Sequence, residues 1–140
     1  MQPKFVHLRF HSEYSITDGI VRLNPAIKQM KEWGVGAFGQ TDLMNMFGSV
    51  RFYESCHKEG IKLILGCDLW ITNEEDPAHP FRLTVYCMDH DGYHSLCVLL
   101  TRAWLENQCH VKGRGEVKES WLAGEGTKGL IGISGGPEGE

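Results

Sequence analysis

Along residues 6–11, Val-His-Leu-Arg-Phe-His, polar and apolar side chains alternate with the two-residue period of a half-buried strand. The polar segment from there to Gly19 reads as a loop. Asn24-Pro25 has the form of a helix start, Ile27, Met30 and Trp33 supply an apolar stripe, and Gly34 is the expected stop. Residues 36–40 predict a short second strand leading into Thr41-Asp42. A second helix is predicted over 45–59, with Val50, Tyr53 and Cys56 inward and Gly60 as its end. A third strand over 62–71, an acidic loop over 73–80 and a fourth strand over 81–88 follow. Asp91 then caps a helix on which Tyr93, Leu96, Cys97, Leu100 and Trp104 recur at helical spacing. Residues 107–126 are polar and glycine-rich, with one helical turn predicted over 117–122, and 130–134 form a last short strand.

Strands alternating with helices predict an α/β fold with mainly parallel strands. Right-handed crossovers would bring the loops that follow each strand to one end of the sheet. The 140 residues, 41% hydrophobic, suffice for one domain with a filled core. A final strand with no helix after it suggests a piece of a longer protein, and an open strand edge would let the isolated chain self-associate.

Composition narrows the class further. A net charge of −4 argues against a stand-alone nucleic-acid binder with a basic face. The longest apolar run, 96–100, is too short to span a membrane, and no signal-peptide pattern opens the chain. Cys56, Cys67, Cys87, Cys97 and Cys109 include no Cys-x-x-Cys, which predicts free thiols in a reducing compartment and a cytoplasmic location. No P-loop, dinucleotide fingerprint or nucleophile elbow is present, and Gly113-Arg-Gly115 is too short to count as one.

The first strand carries the sharpest chemical signal. Its alternation places His7, Arg9 and His11 on one face. His-x-His is a compact way to offer two imidazoles to a metal, but here the companion of His11 is Arg9, which has no lone pair to donate. Asp18 before Gly19 is either a turn former or a relic of such a site. Glu13, Asp42 and Asp89 read as solvated loop carboxylates, His7 as structural, and His57, His79, His90, His94 and His110 as helix-surface or loop residues.

Four blocks carry a family resemblance: His7-Leu-Arg-Phe-His-Ser-Glu-Tyr-Ser through Asp18-Gly19; Thr41-Asp42 with 45–48; Gly60-Ile-Lys through Gly66-Cys-Asp68; and Gly129-Leu-Ile through Ser134-Gly135. Asp91-Gly-Tyr-His-Ser-Leu adds a fifth. Together they resemble the PHP (polymerase and histidinol phosphatase) domain at the N-terminus of bacterial DNA polymerase III alpha subunits. The resemblance covers nearly all of 1–140 and implies the N-terminal part of a distorted (β/α)7 barrel, with metal ligands at the C-terminal ends of its strands. Of the seven family ligand positions it assigns here, His11 and Asp18 are kept, and Asp68 stands for a glutamate. Arg9, Leu43, Arg82 and Gly136 replace the remaining four.

The resemblance therefore implies a non-catalytic PHP scaffold with no catalytic residue, no bound metal and no cofactor of its own. It also implies a longer template-directed DNA polymerase, whose magnesium-dependent site lies outside these residues. The implied partners are the remainder of the alpha chain, a proofreading exonuclease subunit, and DNA through the intact polymerase, with no membrane. The alternative is an active metal-dependent phosphoesterase or 3′–5′ exonuclease using His11, Asp18 and Asp68. If metals are gone, Asp18 and Asp68 need another counter-charge. Arg9 and Arg82 are the residues expected to supply it.

Overall fold

In the computed structural model, which describes residues 5–109 and 112–139, the chain divides into two units, Met1–Cys67 and Asp68–Glu140. His110 lies outside the described residues. The first unit contains helix α1 (Leu23–Glu32), strand β1 (Ala37–Gln40) and helix α2 (Ser49–Glu59). Strand β2 (Lys62–Ile71) begins in the first unit and ends in the second, as a continuous strand. The second unit adds β3 (Phe81–Cys87), helix α3 (His90–Glu106), the two-residue strands β4 (Gln108–Cys109) and β5 (Arg114–Gly115), and β6 (Leu130–Ser134).

In the first unit β1 and the leading half of β2 pair in parallel, Ala37 opposite Lys62 through Gln40 opposite Leu65. The predicted first strand is not a regular one. Residues 5–11 run extended beside β1 but make one parallel bridge, His7 to Phe38. Gly39 donates to the His7 carbonyl at 2.7 Å and Thr41 to that of Phe10 at 3.0 Å. This approach needs Gly39, because a Cβ there would sit 2.1 Å from the Leu8 carbonyl oxygen.

The core of this unit is Leu23, Ile27, Met30, Phe38, Phe52, Cys56 and Ile61. Full burial of such side chains stabilises by roughly 1.5–3 kcal/mol each. Four helix readings need correction here. Helix α1 starts at Leu23 after Arg22, and Pro25 sits in its first turn, where the missing amide N–H has no helical partner to lose. Asn24 does not cap; its side-chain oxygen accepts from Ser55 Oγ at 2.8 Å. Trp33 follows the helix and is exposed. Helix α2 starts at Ser49, because Asn45 makes a turn instead, accepting from the Phe47 amide at 3.1 Å. Its inward face is Ser49, Phe52 and Cys56, while Val50 and Tyr53 face solvent. Phe52 wins that contest by packing 5.3 Å from the Phe38 ring.

In the second unit β3 and β6 pair antiparallel, Leu83 opposite Ser134 through Cys87 opposite Leu130. An isolated parallel bridge joins Ile71 to the buried Val117, beyond which a 3-10 turn covers Glu119–Leu122. Helix α3 is capped by Asp89, which accepts from the Gly92 amide at 2.9 Å, and not by Asp91. Asp91 instead pairs with Lys128 at 2.9 Å. The buried face of α3 is Leu96, Leu99, Leu100 and Ala103, and the expected anchors Tyr93 and Trp104 are partly exposed. Strand β6 leaves Ile131 and Ile133 exposed. Among the described residues, no helix is long and apolar enough to cross a membrane.

Candidate functional site

The seven positions singled out by the resemblance divide between the units: Arg9, His11, Asp18 and Leu43 fall in the first, and Asp68, Arg82 and Gly136 in the second.

In the first unit, Ser12 caps a 3-10 turn over Glu13–Ser15, and the Glu13 amide bonds to the Val21 carbonyl at 2.9 Å. This fold-back brings His11 Nδ1 within 2.8 Å of Asp18 Oδ2. His11 is mostly shielded, with 14% of its side chain exposed, and Asp18 is more open at 37%. Arg9 is exposed. Leu43 is half-buried and offers no side-chain donor to a metal; its amide donates to Ser15 Oγ at 3.1 Å.

The most elaborate polar centre of this unit is Asp42. Expected to be solvated, it is fully buried. Its Oδ1 accepts from the Ser12 amide at 2.6 Å and Ser15 Oγ at 2.8 Å, and its Oδ2 from Ser12 Oγ at 2.8 Å and Gln40 Nε2 at 2.6 Å. Four neutral donors thus satisfy one carboxylate, as a buried charge requires. Its physical effect is to tie the 12–15 turn to the end of β1. Alternation put Gln40 and Asp42 on the same side, which was the available signal.

In the second unit Asp68 is also fully buried. It accepts a hydrogen bond from Thr84 Oγ1. Arg82 Nη1 lies 3.7 Å from its other oxygen, and the Arg82 side chain is only 8% exposed. The guanidinium sits 4.2 Å above the Trp70 ring, and its Nε is 3.1 Å from Glu138 Oε2. Period-two logic explains the set: Asp68 and Trp70 share a face of β2, and Arg82 and Thr84 share a face of β3. Gly136 is exposed and has φ +68°, in the left-handed region that disfavours a side chain. The turn it opens, Gly136–Glu138, delivers Glu138 to Arg82.

These residues do not fit the multinuclear metal centre that the resemblance implies for the family. Leu43 and Gly136 bring no donor, and a guanidinium stands beside Asp68 where a metal would need open coordination. Among the described residues, no three His, Cys, Asp or Glu side chains group closely enough to hold a metal ion. The thiols do not fill the gap. Burial pushes Cys56 up to about 11, and burial, with Cys97 and Asp89 nearby, does the same to Cys87, so both stay protonated at neutral pH. Of the histidines read as surface residues, His57 stacks on Tyr53, His79 pairs with Asp76 at 2.7 Å, and His90 stacks on Tyr93.

Comparison with known proteins matches the PHP domain family over residues 7–140. The chain is 40% identical over 139 residues to the DNA polymerase III subunit alpha of Neisseria meningitidis serogroup A, covering 99% of this chain and 12% of that protein. It is 38% identical over 140 residues to the same subunit of Pseudomonas aeruginosa, again covering 12% of it. The match falls in the N-terminal region of these subunits, so the chain spans about 12% of the length of the curated relatives it matches. Among solved structures, an amidohydrolase from Chromobacterium violaceum superposes with a TM-score of 0.55 at 17% identity, covering 70% of this chain and 32% of that one. That likeness is one of fold alone.

Proposed function

The chain belongs to the PHP domain family, and from that premise we propose that it is a non-catalytic scaffold segment of a replicative DNA polymerase alpha chain. The observation that carries this reading is Arg82. It lies buried against Asp68 and Trp70, at a position where the family resemblance places a metal-binding histidine. A fixed guanidinium supplies the positive charge that Asp68 needs and blocks the approach of a cation. The His11–Asp18 pair is then a structural clasp on the 12–18 turn.

The rest of the proposal extends the family resemblance to the whole alpha chain. The segment supports a longer cytoplasmic, template-directed DNA polymerase and docks a separate proofreading exonuclease subunit. DNA and magnesium are engaged by the polymerase region and not by this segment, to which no cofactor is assigned. Metal analysis of the purified chain, with hydrolysis of a chromogenic phosphate ester, tests the scaffold. We expect substoichiometric zinc, manganese and iron, and no chelator-sensitive turnover. Near-stoichiometric metal with turnover abolished by EDTA would overturn the scaffold in favour of a phosphoesterase or 3′–5′ exonuclease built on His11, Asp18 and Asp68. Docking is tested separately, by binding of a purified exonuclease subunit to the full alpha chain with and without this segment. Equal binding would sink that part of the proposal.

A further inference from the structure

We propose that a cavity in the first unit, lined by none of the seven family ligand positions, is an oxyanion site for a small monocarboxylate. The cavity has a volume of about 240 Å³ and lies between the 13–14 turn, the start of α1 and Arg51 of α2. At ~30 Å³ per water it has room for roughly eight water-sized groups, below the usual range for drug-sized ligands.

Of the five polar residues that line it, Tyr14, Arg22, Asn24 and Arg51 carry donors and Glu13 carries an acceptor. Arg51 Nη1 donates to the Tyr14 hydroxyl at 3.0 Å, which fixes the guanidinium and leaves the phenol proton to donate elsewhere. The Asn24 side-chain oxygen is already occupied by Ser55 Oγ, so its amide N–H groups are what it has left to offer. Arg22 adds a second guanidinium to the wall. Donors converging from three separate segments suit an oxyanion, and two planar guanidinium forks suit a carboxylate.

Charge and shape narrow the class. Glu13 also lines the cavity, so two arginines against one glutamate leave a single net positive charge. That balance neutralises a monoanion, whereas a phosphate dianion would keep one uncompensated charge in the site. Leu23 and Pro25 form an apolar wall, which gives a short aliphatic tail a place to lie.

The test is a titration of the 15N-labelled chain with isovalerate, its uncharged amide isovaleramide, and inorganic phosphate. Isovalerate should produce saturable shifts in the amides of Tyr14, Leu23 and Asn24. Isovaleramide should bind at least roughly tenfold more weakly, as should isovalerate to the Arg22→Ala and Arg51→Ala variants, because each loses a charge-assisted hydrogen bond. Both arginines are exposed, so the variants are expected to keep the parent spectrum outside the cavity. The proposal is overturned by non-saturating shifts, by equal binding of isovaleramide, or by undiminished binding to the Arg22→Ala/Arg51→Ala double variant. Tighter binding of phosphate than of isovalerate would overturn the assignment to a carboxylate. These readouts do not depend on whether the scaffold reading holds.

Discussion

Asp42 and Asp68 present the same problem and receive opposite solutions. Both are carboxylates with no solvent exposure. In the first unit Asp42 is stabilised by neutral hydroxyl, amide and backbone donors. In the second unit the Thr84 hydroxyl and the cation of Arg82 both stabilise Asp68. Dipole donors are short and fixed, so the first solution locks a turn onto a strand end. A long cation brings its own burial cost, and Arg82 meets it by stacking on Trp70 and reaching Glu138. The contrast shows that a buried carboxylate alone does not identify a metal site; the groups around it decide what it does.

The strongest way to break this comparison is Asp42→Ala, which strands four donors at once. We expect a loss of roughly 4–5 kcal/mol in urea denaturation, and Asp42→Asn should recover only part of it, because its amide nitrogen faces donors. A loss under about 1 kcal/mol would show that the centre does not hold the turn. Arg82→Ala comes next, at roughly 3–4 kcal/mol, because it removes a cation that faces the buried Asp68 carboxylate. Combining it with Asp68→Asn should recover much of that loss in a double-mutant cycle, and strictly additive losses would refute charge compensation.

Arg9→Ala sharpens the contrast from the other side. Arg9 is exposed, so its removal should shift stability by only about 0.5 kcal/mol. A loss matching that of Arg82→Ala would place Arg9 in a buried network after all. The smallest effect is one of pH. The hydrogen bond from Lys128 holds the Asp91 carboxyl below its usual value of 3.8, and Asp91 in turn raises Lys128 above 10.5. A lowered carboxyl value stabilises only above the unfolded value and loses that effect as pH falls through the folded one; the raised lysine loses its effect as pH climbs past 10.5. Between those limits the pair should add no pH slope. Carbon-detected NMR should place the Asp91 midpoint below 3.8, and Lys128→Ala should move it upward.

Much of the fold was legible because local chemistry was unambiguous. The sequence reading and the structure agree on β2 and β6 to the residue, and on Gly60 as the end of α2. The helix faces were harder, since α2 carries two overlapping apolar stripes that share Cys56. Only contact with Phe38 selects the one containing Phe52. Helix starts misled for a similar reason: Asn24, Asn45 and Asp91 each suit a helix N-terminus, and each is engaged elsewhere by a distant or neighbouring partner.

By itself the sequence determined the α/β class, the family and the replacement of metal-donor types at Arg9, Leu43, Arg82 and Gly136, because these depend on residue identity and spacing along the chain. The tertiary structure alone decided that Asp42 is a buried centre and not a solvated loop residue. It also decided that Arg82 is the buried arginine while Arg9 stays exposed. Burial and pairing depend on what the folded chain brings from 16 or 30 residues away, and no local pattern records that.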